Sequence, residues 1–198
     1  MTLILASNSA SRKAMLADAG VPFSAEASGA DEDAAKAALA VAGTSPRDTA
    51  DALAELKALK VSMRHPANLV LGSDSIVVLA DGTLLDKPET REDAARHLRS
   101  LSGGTHRIVS AAVIAEGGRP VWRHVDIAKL HFRTLSDGFI QTYLDAEWPA
   151  IAGCVGCFRI EGPGVQLFAR TEGSHFTILG MPLLPVLDFL RIRGILAS

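Results

Sequence analysis

The stretch N-L-V-L-G-S-D-S-I-V-V-L-A-D-G-T-L-L-D-K-P, from Asn68 to Pro88, decides how the chain is read. Leu69–Leu71 and Ile76–Leu79 are short apolar runs, the second rich in β-branched residues, and both have strand composition. Gly72-Ser73-Asp74-Ser75 stands between them, a carboxylate flanked by two hydroxyls. Asp81-Gly82 is a hairpin turn signal, and the hairpin would return Lys87 toward the Asp74 end. An acid and an amine so placed suit metal-assisted attack on a phosphate. The carboxylate would hold a cation or orient water, and the ammonium would neutralise phosphate charge. A plainer arrangement fits the same residues: a strand-end Asp capping a turn, and a Lys in solvent.

Upstream, Leu3–Ala6 has the composition of a short buried strand. Ser7-Asn8-Ser9-Ala10-Ser11 breaks it, and Arg12–Ala19 has helical spacing that stops at Gly20. A strand, a small polar loop and a helix N-terminus form an anion site, because backbone N–H groups and the helix dipole point into the loop. Ser7, Ser9, Ser11, Arg12 and Lys13 add donors and positive charge. Without glycines or G-K-[ST] this is not a Walker loop, and a simple N-cap with solvated charges explains it too. Val21–Ala27 reads as extended. Asp31-Glu32-Asp33 reads as a solvated loop or a helix N-terminus, of interest only if one acid meets Asp74, since paired carboxylates hold Mg²⁺. Asp48–Met63 is a strong helical pattern in which Lys57 falls among Leu53, Leu56 and Leu59. It is either an amine reaching inward or one that snorkels.

Downstream, helices are expected at Arg91–Leu101, Ser136–Ala146 (with Ser136 as N-cap) and Leu183–Arg193. His106–Ala115 and Val121–Leu130 form a hairpin about Glu116-Gly117-Gly118, and Val165–Arg170 reads as a strand. Gly153–Gly164 carries four glycines, too many for a helix, and suits close approach of backbone to a ligand or another chain. The irregular alternation predicts an α/β protein, a mixed β-sheet wrapped by helices. The Gly-rich third quarter belongs to a second lobe, with a cleft between the lobes.

The chain has 198 residues, 48% hydrophobic and 21% charged, enough for one generous domain or two lobes sharing a sheet. A net charge of −2 excludes a global basic field for nucleic acid, so a polyanion must be met by locally placed Lys and Arg. The absence of a long apolar run argues against a transmembrane helix. At the N-terminus the apolar residues precede the charge, the reverse of a secretory signal, and a cytoplasmic protein is expected. Cys154 and Cys157 form a C-x-x-C. A redox pair or half a zinc site would look the same, but no His pair stands at a supporting spacing, and two small packing residues are the preferred reading.

Eight blocks then fall in register along nearly the whole chain: L-A-S-N-S-A-S-R at Leu5–Arg12, D-E at Asp31–Glu32, Lys57, L-G-S-D-S at Leu71–Ser75, D-K-P at Asp86–Pro88, L-S-G-x-x-H at Leu101–His106, I-E-G at Ile160–Gly162 and L-G-M-P-L at Leu179–Leu183. Together they resemble the Maf family of nucleoside triphosphate pyrophosphatases, relatives of the inosine triphosphate pyrophosphatases. The resemblance implies hydrolysis between the α- and β-phosphates of a nucleoside triphosphate with a divalent metal, Mg²⁺ or Mn²⁺. It also implies a single domain over residues 1–198, a two-lobed mixed twisted sheet flanked by helices with the site in the cleft, and often a homodimer. Ser7 and Arg12 would lie in the phosphate loop, and Ser9, Lys13 and Ser73 join them as substrate-binding residues. Glu32 and Asp74 would be the acids for metal and water, with Asp74 the base. Lys57 and Lys87 would contact the triphosphate, and Glu161 the base.

The branch of the family acting on thymidine and uridine triphosphates has a second Arg at the position of Ser11, a Lys near Cys154 and Gln in place of Glu161; this chain has none of these. The branch acting on 7-methyl-GTP carries Glu there. Cys154-Val155-Gly156-Cys157-Phe158 and Leu167-Phe168-Ala169-Arg170-Thr171-Glu172-Gly173 are similar to its flanking pattern, although Ser11 stands where it has Trp. A carboxylate suits the N1–H and amino donors of guanine. A non-catalytic nucleotide binder in division control is the reading from another class. Keeping both Glu32 and Asp74 beside a polyanion speaks for the enzyme.

Overall fold

The computed structural model describes residues 2–197; Met1 and Ser198 lie outside that range. The chain is a mixed α/β protein in two compact units. Its elements are β1 (Leu3–Leu5), α1 (Ala10–Asp18), β2 (Phe23–Ala25), α2 (Glu32–Val41), α3 (Pro46–Ser62), β3 (Leu69–Val78), β4 (Leu84–Leu85), α4 (Arg91–Leu101), β5 (Thr105–Glu116), β6 (Arg119–Phe132), α5 (Asp137–Glu147), β7 (Phe168–Glu172), α6 (His175–Ile178) and α7 (Leu183–Ile192). The strand order is β2-β1-β3-β5-β6-β7, with β4 also paired to β3.

The first unit takes in the residues up to Ser75, Ser110–Asp126 and those from Gly180 onward. Here β1 pairs parallel to both β2 and β3, with Leu3, Ile4 and Leu5 opposite Leu69, Val70 and Leu71. All three residues of β1 are buried, as expected for a parallel strand covered on both faces. Met15 and Leu16 of α1 and Leu53, Ala54, Ala58 and Val61 of α3 supply the helical cover.

The second unit takes in Ile76–Val109 and Ile127–Leu179. Its core joins Leu98 and Leu101 of α4 to Ile140 and Leu144 of α5 around Phe132 and Phe158. Phe132, Phe158 and Phe168 meet edge to face, with centroids 4.7–6.1 Å apart. The Asp81-Gly82 hairpin forms as expected: the Gly82 N–H donates to Leu79 O, Asp81 accepts from Thr83 N, and Val77 and Val78 pair antiparallel with Leu85 and Leu84. α4 spans the expected Arg91–Leu101, and Ser136 caps α5 by accepting from Phe139 N.

Several elements depart from the sequence reading or refine it. The apolar runs that start at Leu69 and Ile76 join in one strand, which ends at Val78, because β3 continues through Gly72-Ser73-Asp74-Ser75 with those polar side chains bonded on both faces. α1 begins at Ala10 rather than Arg12, with Ser9 as the cap whose side chain accepts from Arg12 N. The Asp31-Glu32-Asp33 run opens a ten-residue alanine-rich helix with no buried residue, which shows little apolar periodicity in the sequence. Residues 163–167 form a 3₁₀ turn started by Pro163, so the strand expected at Val165–Arg170 begins only at Phe168. The short α6 lies in a segment read only as a lead-in to Gly180.

Candidate active site

Side chains alternate along a strand, so the G-S-D-S run sends Gly72 and Asp74 to one face of β3 and Ser73 and Ser75 to the other. The first face meets α3. A Cβ at Gly72 would lie 2.2 Å from Ala54 O and 2.7 Å from Ala58 N, so only glycine lets the helix backbone come this close. Lys57, on the same helix between those alanines, is thereby delivered to Asp74. It is 5% exposed and points inward. Its Nζ donates to Asp74 Oδ1 at 2.6 Å and pairs with Glu32 Oε2 at 2.9 Å. Glu32 is the first residue of α2, placed by the N-cap of Asp31, which accepts from Ala34 N at 3.0 Å. Lys60, one turn after Lys57, donates to Gly29 O and ties down the segment leading into α2. One ammonium thus holds two carboxylates, leaving one net negative charge. Asp74 is 6% exposed, and its Oδ2 has no hydrogen-bond partner among the described residues.

On the opposite face, Ser73 Oγ donates to Ala111 O at 2.7 Å and also lies 3.0 Å from Gly180 O. Ser75 Oγ lies 3.1 Å from Gly180 O and 2.8 Å from Ser110 Oγ. Arg12 crosses to this group from α1, its Nε donating to Gly180 O at 2.9 Å and its Nη2 to Ser75 Oγ at 3.1 Å. Arg12 Nη1 lies 3.5 Å from Ser7 Oγ, which accepts from Ser9 N at 3.1 Å. The loop between β1 and α1 therefore combines a helix N-terminus with hydroxyls and a guanidinium, the chemistry of an anion site. Lys13, next on α1, is half-buried. The sequence does not single out Ser110 or the Gly180 carbonyl for this group, since a serine inside an apolar strand and a backbone carbonyl leave no periodic or compositional signal.

Lys87 and Glu161 are exposed residues of the second unit. Burial pushes the Cys154 thiol up, and Glu161 adds to that while Arg159 and Lys87 oppose it, so these charges share one neighbourhood. Glu161 lies in a turn closed by Gly162 N donating to Arg159 O at 3.1 Å. The Arg159 guanidinium is held by the buried Glu147 carboxylate, Nε to Oε2 at 2.9 Å and Nη2 to Oε1 at 3.1 Å. His106 of the L-S-G-x-x-H block is buried, its Nε2 2.9 Å from Leu101 O at the end of α4. Cys157 sits within the hydrophobic core, where burial pushes its thiol up to about 12, and both cysteines are free. Such thiols stay protonated near neutral pH and are poor nucleophiles, in keeping with packing residues. Iodoacetamide at pH 7.5 is expected to alkylate Cys157 more than about tenfold more slowly in the native protein than in guanidinium chloride, measured by mass spectrometry.

The family resemblance implies a divalent cation, and two carboxylates of the cluster are its candidate donors. Asp74 Oδ2 is an orphaned buried carboxylate oxygen beside a second carboxylate, both hard donors suited to Mg²⁺ or Mn²⁺. No group of three or more His, Cys, Asp and Glu side chains able to hold a metal occurs among the described residues. One or two carboxylates with phosphate oxygens are the usual Mg²⁺ arrangement, so the residues fit an ion that arrives with a phosphate ligand. No described helix is long and apolar enough to cross a membrane.

These features define an α/β protein with an acid–amine cluster on one face of a strand and a serine–arginine loop on the other. The family model described as Maf-like protein matches residues 2–192, and the chain belongs to that family. It is 52% identical over 195 residues to a nucleoside triphosphate pyrophosphatase of Sphingopyxis alaskensis, covering 98% of each chain. It is 50% identical to nucleoside triphosphate pyrophosphatase 1 of Jannaschia sp., again over 98% of each. A HAM1 protein from Coxiella burnetii is a partial likeness, at TM-score 0.42 and 13% identity over 67% of this chain and 73% of that one.

Proposed function

We propose that this protein is a nucleoside triphosphate pyrophosphatase that hydrolyses the α–β phosphoanhydride of a modified nucleotide, 7-methyl-GTP before others, to the monophosphate and pyrophosphate. The observation that carries the reading is the buried Asp74 carboxylate, held through Oδ1 by Lys57 with Oδ2 unbonded, beside Glu32. The relatives named as nucleoside triphosphate pyrophosphatases, aligned over nearly the full length, support the class of reaction and do not bear on the choice of base.

Asp74 Oδ2 would accept the proton of a water that attacks the α-phosphorus. The new O–P bond forms as the bond to the bridging oxygen breaks, and pyrophosphate leaves with that electron pair. Lys57 holds both carboxylates in place. Arg12 and Ser7 would bind phosphate oxygens, with Ser9 and Lys13 around them, while Ser73, wholly buried and bonded to Ala111 O, would support the strand rather than touch phosphate. Glu32 and Asp74 would hold the divalent ion, which when bound supplies charge neutralisation and a more acidic water. The resemblance assigns Lys87 to the triphosphate and Glu161 to the base. A carboxylate complements the N1–H and amino donors of guanine and the positive charge added by N7 methylation.

The test is a panel of canonical and modified triphosphates with both products identified. Pyrophosphate release from 7-methyl-GTP should exceed that from GTP, dTTP and UTP. Equal or faster turnover of dTTP would defeat the choice of base, and phosphate release without pyrophosphate would defeat the reaction.

A further inference from the structure

We propose that the paired hydroxyls of Ser75 and Ser110 are positioning residues that fix the Arg12 guanidinium for phosphate binding. The inference rests on reading the loop from Ser7 to Arg12 as the phosphate loop. Ser110 is wholly buried in β5, within the run I-V-S-A-A-V-I-A where every neighbour is apolar. Packing alone would be served there by alanine. A buried hydroxyl is kept where it has a partner, and its partner is Ser75 Oγ at 2.8 Å.

Donor counting gives the pair a direction. Ser73 places its one proton on Ala111 O, the shorter contact at 2.7 Å. Gly180 O then accepts from Arg12 Nε at 2.9 Å and Ser75 Oγ at 3.1 Å, filling its two lone pairs. Ser75 Oγ in turn accepts from Arg12 Nη2 and from Ser110. Every hydroxyl in the group has a role, and two of the three guanidinium nitrogens are fixed from the strand side. The third, Nη1, is turned toward Ser7 Oγ and the loop. Gly180 has φ +107°, and a Cβ there would lie 3.3 Å from Ser75 Oγ and 3.5 Å from Arg12 Nη2, so no side chain competes for this space. Pre-setting the plane of a long, flexible cation lowers the ordering cost of binding an anion. Without the hydroxyl pair the guanidinium loses its Nη2 contact to the strand, while its contacts to the Gly180 carbonyl and Ser7 Oγ remain.

A double-mutant cycle tests this, read by calorimetric titration with magnesium tripolyphosphate, which has no base and engages only the phosphate contacts. Ser110→Ala should weaken binding about three- to tenfold, the size of one hydrogen bond, when Arg12 is intact. In the Arg12→Lys background, which lacks the planar fork, Ser110→Ala should produce no further weakening. The same weakening in both backgrounds, or none in either, would overturn the proposal. If the buried Ser110→Ala variant does not fold, Ser75→Ala at the half-buried end of the pair carries the same cycle. Failure of the pyrophosphatase reading is separable, since a protein that releases no pyrophosphate from any nucleotide can still be titrated. Absence of tripolyphosphate binding by the unaltered protein would overturn the proposal itself.

Discussion

Asp74→Asn is expected to lower kcat by about a thousandfold or more while leaving the fold intact, the scale of losing a general base that also offers oxygen to a metal. The substitution keeps the volume of a side chain that is 6% exposed. The amide oxygen can still accept from Lys57, now 2.6 Å from Asp74 Oδ1, and Lys57 retains Glu32 at 2.9 Å. What disappears is the charge and basicity of Oδ2, the oxygen with no partner among the described residues. Stability should therefore move little, and the Arg12 and Ser7 side chains, which make no contact with Asp74, should keep their places. Single-turnover kinetics beside a thermal melt check this. Turnover like that of the unaltered protein would remove Asp74 from the chemistry.

The candidate site is legible in the sequence where composition is anomalous. A carboxylate between two hydroxyls, set between two apolar runs, leaves a turn-capping Asp and a site Asp both open in the sequence, and Asp74 proves to be buried and bonded within one strand. Lys57 among leucines is a similar anomaly. Its two readings, inward or snorkelling, are separated only by Gly72, because the close approach of α3 depends on Ala54 and Ala58 meeting a position without a Cβ. That is a tertiary fact, carried by residues eighteen and fourteen positions apart. The continuity of β3 is hidden for the same reason: polar residues break a strand in composition but not in space when α3, Ala111 and Gly180 supply their partners. Of α2 only the start is legible, as one of the two readings of Asp31-Glu32-Asp33; its length is not, because alanine has high helix propensity yet shows no stripe. Ser110 is silent, since one small hydroxyl among apolar strand residues looks like tolerance rather than design.

Lys57→Met separates the structural from the chemical part of the acid cluster. Methionine keeps an unbranched stem of similar length on the face of α3 that abuts Gly72, and removes only the ammonium. Two carboxylates then face each other without a cation, one of them Asp74, whose side chain is only 8% exposed. Removing one partner of a buried ion pair costs about 3–5 kcal/mol, because the other charge is left uncompensated. For a chain of this size, each kcal/mol moves Tm by about 2–4 °C, so the metal-free variant should melt on the order of ten degrees lower. Addition of Mg²⁺ should then recover more stability in the variant than in the unaltered protein. An ion bound only to the folded state stabilises by mass action, and in the variant it no longer shares its carboxylates with Lys57. The comparison needs no nucleotide and no turnover, only melting curves with and without Mg²⁺. An unchanged Tm in the variant would mean that the ammonium reaches solvent and that Asp74 and Glu32 do not depend on it. A lowered Tm with equal Mg²⁺ response in both proteins would leave the ion pair standing and deny that the metal binds the same two acids.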